Sequence, residues 1–146
     1  MKPKEIIIYT DGGARGNPGP AGSGAVIYDG KKKVGEVSKY LGIQTNNFAE
    51  YEALILVLEK TIELFGSPVQ HSVSVRMDSE LIVKQMNGQY KVKHPVLKEK
   101  HTTVKMLIMQ SFPSISFTHV RREQNKEADQ LANDAMDRGT FISSSE

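Results

Sequence analysis

The chain contains no cysteine, no tryptophan and no long apolar run. Without cysteine it can form neither disulfides nor thiolate metal sites. Without an apolar stretch of about 20 residues, no membrane helix is expected. The opening MKPKEIIIYT also lacks the apolar core and small-residue cleavage site of a secretory signal. A cytoplasmic protein with no membrane attachment is therefore expected. The missing tryptophan counts against a sugar cleft, where carboxylate pairs work beside aromatic platforms. With no cysteine and no G-x-S-x-G, nucleophilic triads fit poorly too.

What is present fits a single soluble domain. The chain has 146 residues, 38% hydrophobic and 25% charged, enough to bury a real core. The net charge of +2 is small, but it is unevenly placed. From Lys84 to Lys105 six lysines face one acid, Glu99, a local balance of +5 that leaves −3 for the rest. A basic segment on a mildly acidic body suits one face for a polyanion and another for carboxylates. A solvated lysine-rich helix explains the same residues equally well.

Apolar alternation and turn residues predict strands at Glu5–Thr10, Gly24–Tyr28 and Val34–Gly42, the last two joined at Asp29-Gly30. A helix capped by Asn46-Asn47 is expected to run to about Phe65, followed by a strand at Ser72–Met77. A short helix spans Ser79–Met86. Another starts at Pro95 and reaches about Gln110. A last strand, Ser114–Val120, leads to a helix capped by Asn125 and ended near Arg138 by Gly139. The expectation is an α/β fold, three antiparallel strands followed by parallel ones, with helices packed against a mixed sheet. Residues 1–140 form the domain, and 141–146 are expected to be a flexible tail.

Four acids stand out. In YTDGGARGNPGP, Asp11 follows the apolar run Ile6–Tyr9 and precedes a glycine- and proline-rich turn. A loop accounts for the glycines but does not require an acid at the seam of core and solvent. Glu50 falls on the apolar stripe of its helix, whereas Glu52, Glu59 and Glu63 fall on the opposite side. Asp78 closes a strand, and Asp129 lies near the start of the last helix. Each has an ordinary alternative: a favourable helix-terminal charge for Glu50 and Asp129, a cap for Asp78. Together, converging carboxylates would repel one another unless cations neutralise them. Hard oxygen ligands alone suit Mg²⁺ or Mn²⁺.

Four segments, YTDGGARGNPGPAGSGAVI, TNNFAEYEALI, VRMDSELIVKQMNG and HVRREQNKEADQLANDA, resemble in order those of the type 1 ribonuclease H family. The resemblance covers nearly the whole chain. It implies a ribonuclease H-like five-stranded mixed sheet and endonucleolytic cleavage of the RNA strand of an RNA–DNA hybrid, giving 5′-phosphate and 3′-hydroxyl ends. It implies two Mg²⁺ ions, with Mn²⁺ able to substitute, and a monomer needing no protein partner. Asp11 matches the acid that bridges both ions, Glu50 and Asp78 match ligands on the leaving-group side, and Asp129 matches the ligand on the water side. Gly12, Gly13, Ala14, Asn17 and Asn46 match positions near the hybrid's minor groove, and Thr45 matches a DNA-phosphate contact. Lys91 and Lys93 offer a basic handle, joined by Lys98.

The chain departs from the better-known pattern in three places. Arg121-Arg122-Glu123-Gln124-Asn125 carries no loop histidine, as in the shorter-loop archaeal and plant-like branch. Ile43 stands where some relatives have a phosphate-binding arginine, and the separate basic helix is absent. Arg121 or Arg122 is expected to contact phosphate instead, with an ion pair to Glu123 or Glu127 as the alternative. A related nuclease acting on double-stranded RNA, and a non-catalytic nucleic-acid-binding module, are the competing functions.

Overall fold

Alternating apolar residues in Ile6–Ile8 and Val73–Met77 bury one face of two neighbouring strands, around which the sheet is built. In the computed structural model, residues 5–145 are described for the backbone and 5–140 for side chains. The expected flexible tail, 141–146, thus falls on residues whose side chains lie outside the description. The strands are β1 (Glu5–Ala14), β2 (Gly19–Asp29), β3 (Lys32–Gln44), β4 (Ser72–Met77) and β5 (Ile115–His119). They form one sheet in the order β3-β2-β1-β4-β5. The β1–β2 and β2–β3 pairs are antiparallel, while β1–β4 and β4–β5 are parallel, as expected.

Four helices accompany the sheet: α1 (Asn46–Phe65), α2 (Glu80–Met86), α3 (Pro95–Ser111) and α4 (Lys126–Ser145). None of the described helices is long and apolar enough to cross a membrane. Tyr51, Leu54, Val57 and Leu58 of α1 meet Ile6, Ile8, Val73 and Val75 in the core, which Val104 of α3 helps close. On the other face α4 lays Ala128, Ala132 and Ala135, all buried, over β2 and β3. Small residues there let the helix approach the sheet closely.

Several boundaries differ from the sequence expectation; β2, for one, begins at Gly19 rather than Gly24. Thr45, not Asn46 or Asn47, caps α1, its side chain accepting from the Phe48 N–H at 3.2 Å. The last helix does not stop at Gly139 but continues to Ser145. A Cβ at Gly139 would lie 2.2 Å from the Tyr40 ring, so this glycine serves helix-to-sheet contact rather than termination.

β1 also runs past the predicted end at Thr10. Residues Asp11–Ala14 pair with Ala21–Gly24 of β2, and the turn falls at Arg15–Pro18. The parallel partner β4 stops at the Thr10–Met77 pair. A notch therefore opens beside Asp11, where β1 continues and β4 does not. This is the strand-end crevice where ligands of open α/β sheets bind.

Candidate metal and nucleic-acid site

Carboxylates from three elements enter this notch. Asp11 comes from β1, Asp78 from the residue after β4, and Glu50 from the fifth position of α1. Oxygens of these three residues all lie within 4.8 Å of one another. Asp129 of α4 stands outside that trio but lines the same cleft, of about 470 Å³. The alternative roles fare unevenly. Ser79, not Asp78, caps α2, accepting from the Ile82 N–H at 3.3 Å. Glu50 lies beyond the first turn of α1, whereas Asp129 does sit in the first turn of α4.

The charges are costly as they stand. The Asp11 carboxyl is pushed up to about 7, chiefly by burial, then by the charge of Asp78 and the nearness of Asp129. Burial and the charge of Asp11 also hold Glu50 well above the usual carboxylate range. The Gly12 N–H is shared between Asp11 Oδ1 at 2.9 Å and Glu50 Oε1 at 3.3 Å. Glu50 Oε2 is buried with no partner among the described residues. An orphaned carboxylate oxygen beside two further acids is the donor set a hard divalent cation satisfies.

The acid-bearing elements touch directly. A Cβ at Gly12 would fall 2.3 Å from the Ala49 backbone, so only glycine lets β1 pass this close to α1. A second strap ties the turn to α1: the Ala14 N–H donates to Asn46 Oδ1 at 2.8 Å, and the Asn46 N–H to Asn17 Oδ1 at 3.0 Å.

The sequence-predicted binding residues are spread over three adjoining hollows. Gly12, Gly13, Ala14, Asn46 and Arg122 line the cleft with the four acids. Asn17 and Thr45 line a smaller one of about 270 Å³ with Phe48 and His94. Lys91, Lys93 and Lys98 line a groove of about 540 Å³ with Tyr90 and His101. Arg121 lines none of them; its N–H donates to Gln124 Oε1 at 3.1 Å. Of the other lysines in the basic stretch, Lys84 pairs with Glu80, Lys100 with Glu52, and Lys105 donates to the Met86 carbonyl. Glu52, expected on the solvated side of α1, is thus half-buried against α3.

Neither Arg121 nor Arg122 forms an ion pair among the described residues; Glu127 instead holds Lys33 and the Tyr28 hydroxyl. Sequence reasoning missed Arg15 and Asn133, which also line the cleft. Arg15 is held by Asp137 at 2.6 Å, and Asn133 Nδ2 donates to the Asp129 carbonyl at 2.9 Å. Asn133 stands one helical turn after Asp129, a spacing that could have revealed it.

Known proteins resemble this chain over nearly its whole length. The family model described as "Reverse transcriptase-like" matches residues 9–135. A bifunctional protein of Mycobacterium tuberculosis is 44% identical over 135 residues, covering 91% of this chain. This chain spans only 36% of that relative's length. A ribonuclease HI of Halobacterium salinarum is 42% identical over 133 residues, covering 90% of this chain and 64% of its own. Among solved structures, a ribonuclease H1 isolated from compost superposes with a TM-score of 0.88 at 54% identity, covering 93% of this chain and 98% of its own. That enzyme has also been solved in complex with an RNA/DNA hybrid.

Proposed function

The chain belongs to the type 1 ribonuclease H family, and on that premise we propose that it hydrolyses the RNA strand of RNA–DNA hybrids, leaving 5′-phosphate and 3′-hydroxyl ends. The observation that carries this reading is the convergence of Asp11, Glu50 and Asp78 oxygens within 4.8 Å at the end of the β1–β4 pair. Membership of this family implies dependence on a divalent metal. We propose two Mg²⁺ ions, replaceable by Mn²⁺, with Asp11 shared, Glu50 and Asp78 on the leaving-group side, and Asp129 on the water side. Such ions, when bound, activate water and stabilise the leaving oxygen in phosphodiester hydrolysis.

The chain's own residues supply position and selectivity. The Gly12 N–H orients the Asp11 and Glu50 carboxylates together. Gly13 and Ala14, at the lip of the cleft, let backbone approach a minor groove, where the 2′-hydroxyl distinguishes RNA from DNA. Arg122 is the candidate for holding a phosphate beside Asp129, a task suited to a planar, always-charged guanidinium. Lys91, Lys93 and Lys98 offer counter-charge to the duplex backbone at a distance from the reacting bond. Thr45, in the hollow beside the cleft, offers a side-chain group to a phosphate of the second strand, while Asn17 in the same hollow faces the minor-groove side with Asn46. We further propose that it acts as a monomer, a reading supported by an acid cluster supplied wholly from one copy, and that it works in the cytoplasm. End-group analysis of the cleaved RNA tests the chemistry: 5′-phosphate and 3′-hydroxyl termini are expected, and 2′,3′-cyclic phosphates would refute it.

A further inference from the structure

Asn125 immediately precedes α4 and is buried, yet its side chain is only half satisfied. Its Nδ2 donates to the Thr10 carbonyl at 2.9 Å, while its Oδ1 is buried with no partner among the described residues. A position serving stability alone would favour an apolar residue over a buried amide with an unpaired oxygen. The one bond it makes joins two catalytic elements. Thr10 forms the peptide that precedes Asp11, and the Asn125 carbonyl accepts the Asp129 N–H at 3.1 Å. The Asn125 N–H is also anchored, on the Arg122 carbonyl at 2.9 Å. One residue thus ties the β1 segment bearing Asp11, the first turn of α4 bearing Asp129, and the short turn bearing Arg122.

We propose that Asn125 is a positioning residue that sets the separation of Asp11 and Asp129, and hence the affinity for the ion those two acids share. This inference rests on the two-ion reading above. Glu50 and Asp78 are carried by α1 and by the residue after β4, so the ion they share with Asp11 keeps two ligands whose elements Asn125 does not bond, and it should feel a shift of Asp11 less. Local rules broken at a buried position are expected where function sets the geometry.

Asn125→Asp keeps the shape but replaces the donating amide nitrogen with a carboxylate oxygen that opposes the Thr10 carbonyl. Asn125→Ser, smaller and uncharged, removes the same bond and serves if the aspartate variant does not fold. Mn²⁺ binding to the full chain, counted by electron paramagnetic resonance up to millimolar concentration, is compared with the parent. The binding event that depends on Asp129 is expected to lose about 10- to 100-fold in affinity, with the other event changed much less. The Mg²⁺ dependence of single-turnover cleavage should shift by the same factor and recover at high Mg²⁺, with KM for hybrid unaltered. If both events weaken equally, or neither moves while the melting temperature falls, Asn125 is structural only and the proposal is wrong. A parent that shows a single binding event and a one-ion Mg²⁺ dependence would instead overturn the two-ion reading itself.

Discussion

The Gly12 N–H donates to Glu50 Oε1 at 3.3 Å across the seam where β1 meets α1. A Cβ on Gly12 would meet the Ala49 backbone at 2.3 Å. Gly12→Ala should therefore push β1 from α1 and destabilise by about 1–3 kcal/mol, as overpacking does. Displacing Asp11 from Glu50 should also lower turnover, on the order of 100-fold. A melt and a single-turnover rate check both; an unchanged rate would mean the two acids need not be held together.

Asp11 carries the clearest pH signature. Its folded carboxyl titrates at about 7, above an ordinary aspartate, so the metal-free folded state binds this proton more tightly than the unfolded one. The resulting penalty is absent below the unfolded value and complete above about 7. Metal-free protein should gain stability as pH falls from about 7 towards 4, by on the order of 4 kcal/mol at most from this group. Asp11→Asn should abolish cleavage, raise the metal-free melting temperature at neutral pH, and flatten its rise on acidification. Thermal melts in chelator, parent against variant, read the combined effect of Asp11 and the Glu50 carboxyl its charge raises. A variant melting below the parent at pH 7 would mean the repulsion is not there.

Much of this was legible in the sequence, because hydrophobic period and turn residues report local structure. β4 was readable to the residue, since Val73, Val75 and Met77 alternate and Asp78-Ser79 punctuate their end. Glu50's inward face followed from helical spacing. The continuation of β1 to Ala14 was not legible, because Gly12 and Gly13 read as loop while only tertiary pairing with β2 makes them strand. Gly139 misled for a related reason: its missing side chain answers to Tyr40, a residue 99 positions away. Local pattern likewise could not show that Lys100 is committed to Glu52, because that pair joins two helices.

The basic groove should act through charge alone. Lys91, Lys93 and Lys98 form no ion pair among the described residues and line one groove. Replacing all three with Gln should weaken hybrid binding and reduce the salt slope, by about 0.9 per lost phosphate contact on the B-form scale. The cleaved bond and its end groups should stay the same. Binding titrations across salt concentrations measure this, and an identical slope would reduce the lysines to a solvated face.

Arg121 and Arg122 should separate. Arg122 lines the acid cleft, whereas Arg121 does not. Arg122→Ala should lower kcat and kcat/KM together, on the order of 10- to 1,000-fold, as loss of a contact made mainly in the transition state does. Arg121→Ala should stay near the parent. Neither can introduce a titration near neutral pH into the rate profile, because guanidinium remains protonated. Equal single-turnover rates for both variants and the parent would remove the pair from catalysis.

The most direct test is a digest of matched, end-labelled RNA–DNA, RNA–RNA and DNA–DNA duplexes, with and without Mg²⁺ or Mn²⁺, beside the Asp11→Asn variant. The four-acid site predicts internal cuts in the RNA strand of the hybrid, only with divalent metal, and none from the variant. Binding without cutting, cutting in chelator, or cutting of double-stranded RNA in preference to the hybrid would each contradict it.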